Sequence, residues 1–316
     1  MFCIASLIVL AILSIFSASH RPLAKLALDC VLKRVTFQPC NSDFKEQMQG
    51  RIVGALLRKA PPVARFVHKR FEFLAWVFVV LSVASLVWAL WGGYNFYAWG
   101  SCNGRNVEGF CAFDPTGSNN AITSTTEECR EEAPTDADLR HEKLTTSLYP
   151  TLNKEGKKEF LVIGDFGCDY TRAAWPTFKE IREKVKEARF VFVQFPVKEE
   201  TEYLSDYATC ASTIDEEKYF NLADRFFAED KEFLWDEANA RDIIKDVGYD
   251  LDAIDACLAD PKTEDATRAR KLEVRNSGLY GTPTVFAKSE NDKSPVPLVG
   301  PKPLRVYRRI LRGSIF

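Results

Sequence analysis

Residues 73–91, FLAWVFVVLSVASLVWALW, contain no charged side chain. A bilayer core about 30 Å thick is crossed by roughly 20 apolar residues in helix. The run has that length, and Trp76, Trp88, Trp91, Tyr94 and Tyr97 flank it as interfacial anchors do. It reads as a transmembrane helix over 71–93. A second uncharged run, 2–18 (FCIASLIVLAILSIFSA), is read as a transmembrane helix over 1–18. Ser17-Ala18-Ser19 would suit signal cleavage, but no basic residue precedes the run, as a signal peptide requires.

Charge orients these spans. Residues 18–71 carry 11 Lys/Arg and 3 Asp/Glu, whereas residues 94–316 carry 31 Lys/Arg and 40 Asp/Glu, a net of −9. The positive-inside rule then predicts an N-terminus outside, a basic cytoplasmic loop over 19–70, and an extracytoplasmic C-terminal part. In the loop, Leu26, Leu28, Val31 and Leu32, then Ile52, Val53, Leu56 and Leu57, recur at helical spacing beside basic residues. They predict two amphipathic helices, packed as a hairpin beneath the membrane or lying on anionic lipid. Pro61-Pro62 would end the second. Cys30 and Cys40 are expected to be free thiols in a reducing cytoplasm.

The remaining composition excludes several functions. The 316-residue chain has a net charge of −2, which gives no global field for nucleic acid. Three widely separated histidines, His20, His68 and His141, offer no His-built metal site, and no DxDxDG loop marks calcium. No metal or cofactor is expected. The 23 Phe, 10 Tyr and 6 Trp are ample core material.

Residues 94–153 read as a cysteine-containing linker, since turn formers cluster in SCNGRNVEGF and FDPTGSNNAITSTTEE. Cys102 and Cys111 are nine apart with Gly104 and Gly109 between them, which suits a disulfide-closed loop. Cys129 is left over and must pair elsewhere or stay free.

Residues 154–316 carry the chemistry. EFLVIGDFG (159–167) reads as a buried strand. Cys168-Asp169-Tyr170-Thr171 follows, opening an amphipathic helix that Pro176 should kink. RFVFVQFPV (189–197) reads as a second strand, then a helical region spans about 203–277. GLYGTPTVFA (278–287) gives a turn and a third strand, Val296–Val299 a fourth, and Leu304–Leu311 a last helix. This order is that of an α/β thioredoxin-like fold with an inserted helical domain. A cysteine at a helix N-terminus meets unpaired N–H groups and the positive end of the dipole, which favours thiolate, the attacking species in disulfide exchange.

GDFGCDYT resembles the strand-to-helix active site of the DsbA-like branch of the thioredoxin superfamily. YGTPTVF resembles its cis-proline segment, and YATCASTIDEEKYFNLADRFF with LDAIDACLAD its inserted helices. The resemblance covers about residues 155–312. It implies that Cys168 is the nucleophile, that Thr282-Pro283 is cis and presents the backbone of residue 282 to a substrate chain, and that Cys210 and Cys257 form a structural disulfide. Asp165 takes a proton role or acts as a strand-end cap.

The motif departs from the family's CxxC, because Thr171 stands in the second position and cannot resolve a mixed disulfide. Thr171 is expected to hydrogen-bond the thiolate. Three outcomes stay open: Cys168 is a monothiol resolved by an external thiol or membrane redox partner, Cys129 resolves it, or the domain keeps only a binding groove. The expected function is a membrane-anchored thiol–disulfide oxidoreductase acting on extracytoplasmic protein thiols or disulfides. The alternative is a non-catalytic thioredoxin-like binding or assembly module.

Overall fold

The computed structural model describes residues 21–35, 61–107, 109–117 and 139–313, with single positions at 7, 11, 50, 53, 54 and 57. The chain divides into two compact units, Met1–Trp91 and Gly92–Phe316.

In the first unit, α1 spans Arg21–Val35 and α2 Pro61–Lys69. Pro61 and Pro62 therefore open a helix, a role the sequence reading did not give them. A first-turn proline loses nothing, because its absent N–H would have had no partner there. The long helix α3, Phe71–Trp99, begins in this unit and ends in the second. Within it Trp76–Trp99 is long and apolar enough to cross a membrane, the one such helix among the described residues. Its apolar side chains stand exposed in the isolated chain, Trp88 at 75%. The first apolar run lies outside the described residues except for Leu7 and Ala11, as do Cys40 and Cys129. Two membrane spans are thus not established.

The helix also runs past residue 93, through Gly92-Gly93 to Trp99, where a linker was expected. Tertiary contacts hold these last turns. Asn95 Nδ2 donates to the Cys102 carbonyl (3.3 Å), and the Phe96 and Phe113 rings lie 5.6 Å apart. A side chain on Gly92 would meet Cys102 Cβ at 3.7 Å, ordinary contact distance, so the loop approaches closely there. Cys102–Cys111 is a disulfide, as the spacing suggested.

The second unit is built on a five-stranded mixed sheet. Its strands are β1 (Thr151–Leu152), β2 (Lys158–Gly164), β3 (Ala188–Gln194), β4 (Thr284–Lys288) and β5 (Val296–Val299). The order is β1-β3-β2-β4-β5, with β2 and β3 parallel and the other pairings antiparallel. Helix α4 (Asp169–Lys184) connects β2 to β3. It runs unbroken through Pro176. Five helices lie between β3 and β4: α5 (Leu204–Ile214), α6 (Glu216–Ala228), α7 (Glu237–Asp246), α8 (Leu251–Leu258) and α9 (Pro261–Asn276). Aspartates cap α6 to α9 at their N-termini: Asp215, Asp236, Asp250 and Asp260 each accept a backbone N–H. Helix α10 (Leu304–Arg312) closes the unit.

Alternation along the strands separates two cores. Phe160 and Val162 face one way with Phe178, Tyr219, Phe226 and Tyr307. Leu161 and Ile163 face the other with Val191, Val193 and Phe286. The expected strands are all present, and β1 is an addition too short to read from sequence. The edge strand β5 is covered by Asn106, whose side chain donates to the Pro297 carbonyl (3.0 Å) and accepts from the Val299 N–H (2.8 Å). One amide side chain thereby satisfies backbone groups that an open edge would expose.

Candidate active site

Strand β2 ends at Gly164, and the chain turns through Asp165, Phe166 and Gly167 into α4, whose N-cap residue is Cys168. Gly164 is required by close packing, since a Cβ there would fall 2.5 Å from Thr171 Cγ2. The face of α4 formed by Thr171, Ala174, Trp175, Phe178 and Ile181 is buried, so the sheet fixes the helix axis and with it the position of Cys168. Phe166 packs edge-on to Phe192 and Phe226, with centroids 5.5 and 5.0 Å away. Arg172 Nη1 donates to the carbonyls of Phe166 (2.7 Å) and Phe226 (3.3 Å), tying the turn to the helical insertion. Lys231 of the insertion pairs with Asp169 at 2.7 Å.

The Thr282-Pro283 bond is cis, as the resemblance implies. The Thr282 carbonyl oxygen lies 3.5 Å from Cys168 Sγ, so the two loop motifs meet although 114 positions separate them. Thr282 is 3% exposed, and its hydroxyl has no hydrogen-bond partner among the described residues. Cys168 is fully buried and is itself disulfide-bonded. Cys102 pairs with Cys111 and Cys210 with Cys257, so none of these four cysteines is the partner of Cys168. The Cys210–Cys257 bridge joins α5 to α8, also as the resemblance implies. Thr171 is buried, and its hydroxyl accepts from the Asp165 N–H at 3.4 Å, which aims it at the strand end.

Asp165 is fully buried with four donors around its carboxylate. Gly167 N–H (3.1 Å), Gln194 Nε2 (3.0 Å) and the Thr201 hydroxyl (2.9 Å) reach Oδ1, and Val197 N–H (3.1 Å) reaches Oδ2. Burial pushes its pKa up, and the four hydrogen bonds only partly offset this. The protonated form is therefore stabilised in the folded chain, and stability from this group is lost as pH rises above the ordinary aspartate value of 3.8. The stability of wild type relative to Asp165→Asn is thus expected to fall as pH is raised from about 3.8, measured by denaturant unfolding across pH. A flat difference would show that the fold does not perturb this carboxyl.

Sequence reasoning missed Gln194 and Thr201. Gln194 accepts from the Phe166 N–H (3.0 Å) and donates to Asp165, so it holds both sides of the turn. Its only signal was a polar residue closing an apolar strand. No group of three or more His, Cys, Asp or Glu among the described residues has a metal-binding arrangement.

Comparison with known proteins agrees with this geometry. A family model described as Thioredoxin matches residues 153–297. Residues 153–297 accordingly have a thioredoxin-like fold, with five helices inserted between β3 and β4. Among solved structures, the thiol-disulfide exchange protein α-DsbA2 of Wolbachia pipientis is 22% identical, with a TM-score of 0.48, covering 54% of this chain and 90% of that one. The catalytic domain of Proteus mirabilis ScsC is 17% identical, with a TM-score of 0.46, covering 55% and 94%. A protein of Mycobacterium tuberculosis, Rv2286c, is 39% identical over 75 residues, 23% of this chain. The match spans 33% of that protein's length.

Proposed function

We propose that the chain is a membrane-anchored thiol–disulfide oxidoreductase acting on extracytoplasmic protein thiols or disulfides, with Cys168 as the nucleophile. The observation that carries this is the position of Cys168: the N-cap of a buried helix, with its sulfur 3.5 Å from the Thr282 carbonyl and already in a disulfide. The helix N-terminus stabilises the sulfur as a thiolate, whether it attacks or leaves. The backbone at Thr282 receives an extended substrate strand beside it.

A disulfide at Cys168 favours a partner within the chain over an external monothiol cycle. We assign that role to Cys129, which stands between the closed Cys102–Cys111 loop and the domain. In the oxidising direction, a substrate thiolate attacks Cys168 Sγ. The bond from Cys168 to its partner breaks, and the partner leaves as a thiolate that takes up a proton. A second substrate thiolate then attacks the substrate sulfur of the mixed disulfide, releasing Cys168. Two electrons pass from the substrate dithiol to the cysteine pair. The reverse sequence reduces a substrate disulfide.

The anchor is supported by the apolar helix Trp76–Trp99 and by the charge asymmetry across it. The disulfides of the second unit favour an oxidising compartment. The test is trapping. Cys129→Ser is expected to accumulate a mixed disulfide between Cys168 and a substrate peptide, visible as a reducible gel shift, and Cys168→Ser to capture none. Equal capture by both variants would remove the catalytic reading and leave the binding module.

A further inference from the structure

We propose that helix α10 and the Cys102–Cys111 loop form a second, peripheral contact with an anionic lipid surface, seating the thioredoxin-like domain against the bilayer in which α3 ends. The proposal rests on the anchored reading of α3.

The argument starts from α10. Val306, Tyr307, Ile310 and Leu311 are buried, and the opposite face carries Arg305, Arg308, Arg309 and Arg312, spaced as one helical stripe. Two of these arginines dock onto the end of α3. Arg305 Nη2 donates to the Phe96 carbonyl (3.1 Å), and its guanidinium lies 5.0 Å from the Phe96 ring centroid. Arg309 donates to the Ala98 carbonyl and lies 5.2 Å from the Trp99 ring centroid. The last carbonyls of a helix lack intrahelical partners and carry partial negative charge. Helix α3 has no basic residue in its own last turn, so α10 supplies this cap.

The other two arginines have no such employment. Arg308 and Arg312 make no ion pair with a described carboxylate, and Arg312 is exposed. They share the α10 face on which Arg305 and Arg309 meet Phe96, Ala98 and Trp99 at the end of α3. Arg105 adds a further cation 5.7 Å from the Trp99 ring. Lys302, by contrast, is buried near Asp114, with its pKa drawn down to about 8 by burial, and belongs to the core.

An apolar rim completes the surface. Phe110 is 77% exposed on the disulfide-closed loop, and Val107, Phe113, Tyr94 and Tyr97 are exposed nearby in the chain. Aromatic side chains beside arginines, at the mouth of an apolar helix, match the composition of a membrane interface. Each free arginine near an anionic surface strengthens binding by about fivefold.

The test uses the full chain in nanodiscs of zwitterionic lipid alone or mixed with phosphatidylglycerol, read by hydrogen exchange. Peptides covering 102–113 and 304–313 are expected to exchange at least about fivefold more slowly in the anionic discs. The difference should vanish in high salt and shrink in Arg308→Gln/Arg312→Gln, a variant that leaves the two capping arginines in place. Equal exchange in both discs, with peptides 76–91 protected, would overturn the docking surface while keeping the anchor. Failure to enter the discs would instead overturn the anchor. Protection by polyglutamate in zwitterionic discs equal to that by lipid would assign the stripe to an acidic protein and overturn the proposal.

Discussion

Cys168→Ser is expected to reduce turnover of a reduced or scrambled protein substrate by on the order of a thousandfold or more, to the rate of the added redox buffer alone. Losses of this size follow removal of a covalent nucleophile, because the remaining groups of the unit have nothing left to assist. Serine is nearly isosteric at a buried N-cap, and a hydroxyl is a good cap in its own right. The fold should therefore survive: unfolding midpoints of the variant and the wild type, both fully reduced, are expected to agree closely. Loss of activity with intact unfolding behaviour assigns the chemistry to Cys168. Retained activity would sink the assignment, and a variant that unfolds would be replaced by Cys168→Ala and read the same way.

The second large effect concerns the insertion. Cys210 is fully buried in the main core, and its bridge to Cys257 closes a loop with a separation of 47 residues. In the chain-entropy account, opening a loop of that size lowers stability by about 4 kcal/mol. For a unit of this size, that corresponds to a fall of about 8–16 °C in Tm. Cys210→Ala/Cys257→Ala keeps the site of bridging apolar, so packing losses stay small beside the lost cross-link. Calorimetry of oxidised wild type against the double variant measures it. A change under 1 kcal/mol would show that helix packing alone holds α5 to α8.

The parts of the site written in short motifs were legible in the sequence. Cys168, the Thr282-Pro283 pair and the Cys210–Cys257 bridge each sit in a local phrase whose chemistry or resemblance identifies it. What was not legible depends on partners distant in sequence. Gln194 looks like the ordinary end of a strand until Asp165 and Phe166 are brought beside it. Asn106 looks like a turn residue until β5 is laid against it, 191 positions away. Gly92-Gly93 looks like a helix end, yet α3 continues because Cys102, Phe113 and two arginines of α10 hold the turns beyond. The setting of Thr171 is of the same kind: its hydroxyl accepts from a backbone amide that only the turn geometry brings near.

The placement of the insertion also determines when this site comes into being. Strand β2 pairs with β3 through one helical crossover, but its other neighbour, β4, arrives only after five helices. Glu159 faces Lys288, and Cys168 meets Thr282, across that late pairing. Closing so long a loop costs chain entropy that only the finished contacts repay, so high contact order delays the step. A nascent chain therefore has its nucleophile long before it has the surface that presents substrate to it. Through that interval Cys168 is a thiol on an unfinished scaffold, open to the same exchange chemistry it later performs.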